Sequence, residues 1–233
     1  MIEIKDLYVG YYRDLDILQG VSMKAEAAQI VTVLGANGVG KSTLLKAIYG
    51  FLKPRYGQIL LDGKDITGIA SHKLIKQGIS YIPQHSSVFP NMSVEDNLKL
   101  GAWTFRGDNK RVQEKIEENY QRFPMLRERK KDDAGLLSGG MQRMVEVGRT
   151  LMTDPKVILV DEPTAGLAKM LSTEVYQMLK GLRDDDGLTI ILVDQEIRQA
   201  LKIADYVYVL ELGRNKIDGY TQEFTDLKKT LWD

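Results

Sequence analysis

The 233-residue chain contains no cysteine. Disulfides, zinc sites built on thiolates and thiol nucleophiles are therefore excluded, and a reducing compartment fits without being required. An excess of one charge is also missing, because Lys plus Arg and Asp plus Glu number 32 each. No global field argues for a nucleic-acid or acidic-lipid surface, although a local patch remains open. No run approaches the roughly 20 apolar residues that span a bilayer. The opening Met1-Ile2-Glu3-Ile4-Lys5-Asp6 is not a basic stretch followed by an apolar core, so no leader is read there. The chain is expected to be soluble by itself, with any membrane role arising through partner subunits. Its length suits one large domain, or a core with an inserted lobe, and buries a substantial interior.

What is present divides into two textures. Short strands are predicted at residues 2–8, 21–25, 30–34 and 58–61, the last ending in the turn pair Asp62-Gly63, as in an antiparallel lobe wrapped on a larger sheet. Continuous apolar strands follow at residues 79–82, 157–160, 189–193 and 206–210, separated by helix-length segments. That pattern means a mostly parallel α/β sheet. Between Pro90 and Leu151 helical spacing takes over, with Ser93 placed to cap residues 94–100 and with Val112, Ile116, Tyr120 and Phe123 on one face. The organisation expected is a single domain, its core at 1–87 and 152–233 and a helical lobe inserted at 88–151. The Asp/Lys-rich residues 127–133 read as a solvated connector.

Gly35-Ala36-Asn37-Gly38-Val39-Gly40-Lys41-Ser42-Thr43 matches the phosphate-binding P-loop pattern between a strand and a helix containing Leu44, Leu45 and Ile48. Glycines let backbone N–H groups turn around phosphates, and the helix N-terminus adds its dipole. Lys41 neutralises β/γ-phosphate charge and Ser42 offers a hydroxyl to Mg²⁺. An ordinary glycine-rich turn is the alternative, and the strand-to-helix setting weighs against it. The strand at 157–160 delivers Asp161 and Glu162 at its C-terminal end, where α/β sheets place ligands. Beside a P-loop, Asp161 would hold Mg²⁺, through a water, and Glu162 would act as general base on the attacking water. Leu137-Ser138-Gly139-Gly140-Met141-Gln142 opens another helix, at 141–151, with a capping serine and an anion-binding start.

At Leu137-Ser138-Gly139-Gly140 the chain resembles the ABC ATPase family, whose signature begins with these residues, and the resemblance extends over essentially the whole chain. It implies a RecA-like P-loop NTPase fold that binds and hydrolyses ATP with Mg²⁺. It also implies a head-to-tail dimer, in which Ser138, Gly139 and Gly140 of one subunit close over the γ-phosphate at the other's P-loop. Tyr12 occupies the position of the family's adenine-stacking ring, with Tyr11 as the competing candidate. Gln84 occupies that of a glutamine reaching Mg²⁺ and the attacking water. Residues 85–91 would face membrane subunits.

Three departures from the family pattern stand out. Met141 takes the usual glutamine position of the signature, a change expected to be tolerated. Ala168 replaces a frequent aspartate, and Gln195 replaces the switch histidine. A glutamine donates a hydrogen bond to a γ-phosphate oxygen but carries no positive charge. Gln195, the glycine-loop form and the Gly166-Leu167-Ala168 run are most similar to the smaller ATPase subunit of branched-chain amino-acid importers. The expected partners are a second ATPase subunit in a heterodimer (a homodimer being the alternative), two transmembrane permeases and, indirectly, an extracytoplasmic solute-binding protein, with no nucleic acid. The expected location is peripheral, on the cytoplasmic face of the membrane. Alternatives are an ATPase for urea/amide import or lipopolysaccharide export, a nucleotide-gated dimerisation module with little turnover, and a non-transport ABC ATPase.

Overall fold

The computed structural model describes residues 1–12 and 15–227. Among the described residues ten strands fall into two sheets. The first is antiparallel: β1 (Ile2–Val9), β2 (Leu18–Ala25), β4 (Tyr56–Leu61) and β5 (Lys64–Asp65), in the order β2-β1-β4-β5. The second runs β10-β9-β3-β8-β7-β6 and uses β3 (Ile30–Leu34), β6 (Ile79–Ile82), β7 (Val157–Asp161), β8 (Thr189–Val193), β9 (Tyr206–Glu211) and β10 (Arg214–Tyr220). Pairings from β6 through β9 are parallel, and only β10 joins antiparallel, at the edge. This is the α/β P-loop architecture expected from the sequence.

β3, β7 and β8 are buried at every position, as parallel strands covered on both faces must be. Their side chains alternate in direction. Val31, Val33, Leu159, Ile191 and Val193 pack toward the antiparallel sheet and α1 (Lys41–Ile48), whereas Ile30, Ile158, Val160, Ile190 and Leu192 pack the other way. Fully burying each such side chain contributes about 1.5–3 kcal/mol.

The second cluster also contains Val94 and Leu98 of α3 (Val94–Gly101), Ile116 and Tyr120 of α4 (Asn109–Arg122), and Val145 and Val147 of α6 (Gly139–Leu151). The helical segment therefore shares its core with the underside of the main sheet. Ser93 caps α3 by accepting the Asp96 N–H at 3.0 Å. The connector after α5 (Pro124–Glu128) supplies carbonyls of Asp132 and Lys130 to the N–H groups of Val94 and Glu95, satisfying donors that a helix start leaves open. The described residues also form α2 (Ser71–Leu74), α7 (Lys169–Asp186), α8 (Ile197–Ile203) and α9 (Thr221–Leu227). Among the described residues no helix is long and apolar enough to cross a membrane.

α7 begins without a side-chain cap. Its N-cap Ala168 has φ −63° and ψ 148°, the extended geometry in which an aspartate accepts a first-turn N–H. Ala168→Asp is expected to stabilise the fold by about 0.5–2 kcal/mol. A thermal melt showing no rise, or a fall, would refute this.

Candidate functional site

The loop after β3 turns by glycine. Gly35, Gly38 and Gly40 have φ of 151°, 81° and 107°, backbone states that side-chain-bearing residues rarely adopt. At Gly35 a Cβ would also meet the Leu210 carbonyl at 2.5 Å and Val39 Cγ2 at 2.9 Å. Ala36, Asn37 and Gly38 form the exposed crest of the loop, while Lys41 and Thr43 at its foot are buried. The Lys41 ammonium donates to the carbonyls of Gly35 at 2.9 Å and Ala36 at 3.0 Å, so it closes the loop from inside. Burial pulls its pKa below the ordinary lysine range, and the charges of Glu162, Asp161 and Asp194 act in the opposite direction.

Three strand ends bring the rest of the site to this loop. Asp161 ends β7, where its Oδ1 accepts from the Ser42 hydroxyl at 2.8 Å and its Oδ2 from the Tyr81 hydroxyl at 2.9 Å. Tyr81, on β6, is stacked on Tyr49 with ring centroids 5.4 Å apart. Burial, reinforced by Asp161, drives its phenol pKa far upward, so it remains a donor. Glu162 follows with φ 42°, a strained conformation for a residue with a side chain, costing about 1–3 kcal/mol and typical of working sites. The backbone of Glu162 is fixed by donation from its N–H to Val193 at 2.8 Å. Its Oε2 accepts from Gln84 Nε2 at 2.5 Å and from Gln195 Nε2 at 2.6 Å. Two neutral amides, from the ends of β6 and β8, thus aim one carboxylate, and Oε1 accepts no hydrogen bond among the described residues.

Ser138 caps α6 by accepting the Met141 N–H at 3.4 Å. A Cβ at Gly139 would meet Leu167 at 2.9 Å, and one at Gly140 would meet Leu171 at 3.0 Å. The start of α6 therefore packs on the segment after Glu162, and no hydrogen bond among the described residues ties it to residues 35–43. Met141 packs partly buried against the core, while Gln142 donates to the Leu137 carbonyl at 3.1 Å and accepts from the Ser86 hydroxyl at 3.3 Å. Of the two candidate rings, Tyr12 is 77 % exposed and Tyr11 51 % exposed. Tyr11 is engaged with Lys46 of α1, whose ammonium lies 3.3 Å from its hydroxyl and 5.7 Å from its ring centre.

Sequence reasoning missed the clasp that holds Gln84. On α6, Arg143 donates to the carbonyls of Pro83 at 3.0 Å and Gln84 at 3.1 Å, and pairs with Glu146 at 2.6 Å. Glu146 accepts the Ser87 N–H, and Arg149 donates to the Ser87 carbonyl at 2.8 Å. The chain of charges at i, i+3 and i+6 on one helix face is visible in the sequence, but such a stripe ordinarily faces solvent. A second fastening is Asn97, fully buried on α3, whose amide reaches the carbonyls of Phe89, Met92 and Ser93 at 3.0–3.2 Å.

Residues 18–165 match the ABC transporter family. The chain is 39 % identical over 204 residues to BraG, a high-affinity branched-chain amino acid transport ATP-binding protein of Pseudomonas aeruginosa, covering 88 % of this chain and 86 % of that one. It is 39 % identical over 229 residues to LivF of Archaeoglobus fulgidus, a probable branched-chain amino acid transport ATP-binding protein, covering 98 % and 96 %. To LptB of Acidithiobacillus ferridurans, a lipopolysaccharide export system ATP-binding protein, it is 32 % identical, covering 97 % and 92 %. The ADP conformation of MJ1267, an ATP-binding cassette of an ABC transporter, superimposes with a TM-score of 0.88 at 29 % identity over 99 % of this chain and 95 % of that one. With the glycine loop, the acid pair and the capped glycine helix start folded as described, the chain belongs to the ABC transporter family as an ATP-binding, ATP-hydrolysing subunit.

Proposed function

We propose that this subunit energises branched-chain amino-acid uptake. Its likeness to BraG and LivF over most of each chain, higher than its likeness to LptB, carries the reading. In the working complex the chain pairs with a second ATPase subunit, in a heterodimer, on two permeases at the cytoplasmic face of the membrane. A solute-binding protein delivers cargo on the far side, and no nucleic acid takes part.

In the proposed site Tyr12 stacks on adenine, and the N–H groups of Gly35 to Thr43, with the Lys41 ammonium, receive the phosphates. The hydroxyl of Ser42, the carboxylate of Asp161 and the amide oxygen of Gln84 are hard oxygen donors that suit Mg²⁺. Ser42 and Asp161 already lie 2.8 Å apart. Bound there, Mg²⁺ would neutralise phosphate charge as the terminal phosphoryl group leaves. Glu162 takes the proton of the attacking water, while Gln84 and Gln195 hold its carboxylate in line. Gln195 also donates to the γ-phosphate, and Ser138, Gly139 and Gly140 close over that phosphate from the partner subunit. Gln195→Ala is expected to lower kcat about tenfold or more with little change in KM, and turnover at the parental rate would remove Gln195 from the mechanism.

Coupling to a permease is supported by a groove of about 510 Å³ between the helical segment and the core, lined among others by His72, Ile75, Leu100, Trp103, Glu146 and Arg149. Glu146 and Arg149 also hold Ser87, so a permease loop seated in the groove would press on the clasp that positions Gln84. Uptake of labelled leucine, isoleucine and valine in cells lacking the gene tests the function. Restoration by the parental chain and not by Glu162→Gln is expected. Unchanged amino-acid uptake accompanied by lost lipopolysaccharide delivery would favour the export reading that the likeness to LptB keeps alive.

A further inference from the structure

Gln195 lies on an exposed turn between β8 and α8, and the turn is built on the preceding residue. The Asp194 side chain is 2 % exposed. Its Oδ1 accepts the backbone N–H groups of Gln195 at 2.7 Å and Glu196 at 2.9 Å, and its Oδ2 accepts the Tyr176 hydroxyl at 2.8 Å. Tyr176 comes from α7 and is itself 2 % exposed. Its hydroxyl lies 3.4 Å from Thr164 Oγ1, in the segment just beyond Glu162. Burial raises the Asp194 carboxyl pKa, the hydrogen bonds from Glu196, Tyr176 and Gln195 oppose the rise, and the Glu162 charge adds to it. A buried carboxylate carries a large desolvation cost unless fully hydrogen-bonded, and here three donors converge on it.

We propose that Asp194, held by Tyr176, is a positioning residue for Gln195, and that the Thr164–Tyr176–Asp194 chain ties the segment after Glu162 to the turn that presents Gln195. The inference rests on the reading of Gln195 as a participant in hydrolysis. The amide of Gln195 must meet Glu162 from an exposed turn, and a small displacement of a positioned group is costly to rate. Asp194 acts at the backbone of that turn, where two N–H groups have their direction fixed by one oxygen. Tyr176 then fixes the carboxylate from the opposite side, so that neither of its oxygens is free to rotate away. Asparagine would keep an oxygen for the two N–H groups and an amide able to donate to the Tyr176 oxygen, whereas alanine removes the post altogether.

The test is a double-mutant cycle on the full-length chain purified with its membrane partners, reading kcat, KM for ATP and the melting temperature. Asp194→Ala is expected to lower kcat about tenfold with KM held within about twofold, and Asp194→Asn to stay within about threefold of the parent. In a Gln195→Ala background, Asp194→Ala is expected to change kcat by less than about twofold, because the group it positions is gone. Tyr176→Phe, which preserves the packed ring, provides the same cycle if Asp194→Ala does not fold. Equal losses of kcat in both backgrounds, or a lowered melting temperature with unaltered kcat, would overturn the proposal. A Gln195→Ala protein working at the parental rate would instead overturn the reading beneath it.

Discussion

Glu162→Gln is expected to lower ATP turnover by about 10²-fold or more, the scale of general base catalysis, while leaving KM for ATP and the melting temperature nearly unchanged. Glutamine matches glutamate in shape, and its side-chain oxygen can still accept from Gln84 and Gln195, which now donate to Oε2 at 2.5 and 2.6 Å. What is lost is the proton acceptor proposed for the attacking water. The strained φ of 42° at this position is common to both residues, so backbone cost does not separate the variant from the parent. ATP should therefore bind and persist, and the closed, nucleotide-bound dimer should accumulate. Turnover within about threefold of the parental rate would mean that another group takes the proton, a loss far below the range for a general base.

The second large effect lies away from the phosphates. Glu146→Ala is expected to destabilise the fold by about 3–5 kcal/mol, because it leaves the Arg143 guanidinium buried without its counter-charge. The two side chains are 6 % and 2 % exposed and 2.6 Å apart, so water cannot readily replace the missing carboxylate. The Ser87 N–H loses its acceptor as well. For a chain of this size the corresponding fall in melting temperature is about 6–20 °C. Turnover of the folded fraction should also fall, since Arg143 holds the Gln84 carbonyl at 3.1 Å. Replacing both partners, as Arg143→Met with Glu146→Leu, should recover part of the stability, because the buried Arg143 charge goes together with its partner, while Arg149 still loses the nearby Glu146 charge. Turnover should stay low, because Arg143→Met removes the donors to the Pro83 and Gln84 carbonyls. A Glu146→Ala protein that melts within a degree or two of the parent would show the pair to be solvated in solution.

The strands of the main sheet were legible because parallel strands covered on both faces must be continuously apolar, and Ile30 to Leu34 or Val157 to Val160 have few other readings. The P-loop was legible because phosphate binding demands glycine at set positions, and Gly35, Gly38 and Gly40 adopt backbone states that explain the demand. β10 was missed for the converse reason. Arg214-Asn215-Lys216-Ile217-Asp218-Gly219-Tyr220 is polar because it is an edge strand with little to bury, and charge on an edge discourages further pairing.

The network around Gln84 was hidden by the ambiguity of charge in a helix. Arg143, Glu146 and Arg149 read as a solvated stripe until the segment from Pro83 to Ser87 is laid across them. Tyr81 and Asp194 were hidden differently. A tyrosine inside an apolar strand reads as core, and only the neighbouring strand end shows that its hydroxyl meets Asp161 at 2.9 Å. Asp194 ends a strand where a solvated turn is the ordinary expectation, and α7 covers it instead with Tyr176. Side chains that carry chemistry leave a mark in residue spacing. Those that hold them do so across the fold, at separations that spacing cannot show.

The proposed role in branched-chain amino-acid uptake is tested by affinity capture of a tagged Glu162→Gln subunit from native membranes with ATP present, followed by mass spectrometry of what comes with it. Two permeases, a second ATPase subunit and a solute-binding protein that binds branched-chain amino acids are expected to come with it. Capture of lipopolysaccharide-export components, or of ribosomes and nucleic acid without membrane proteins, would contradict that role.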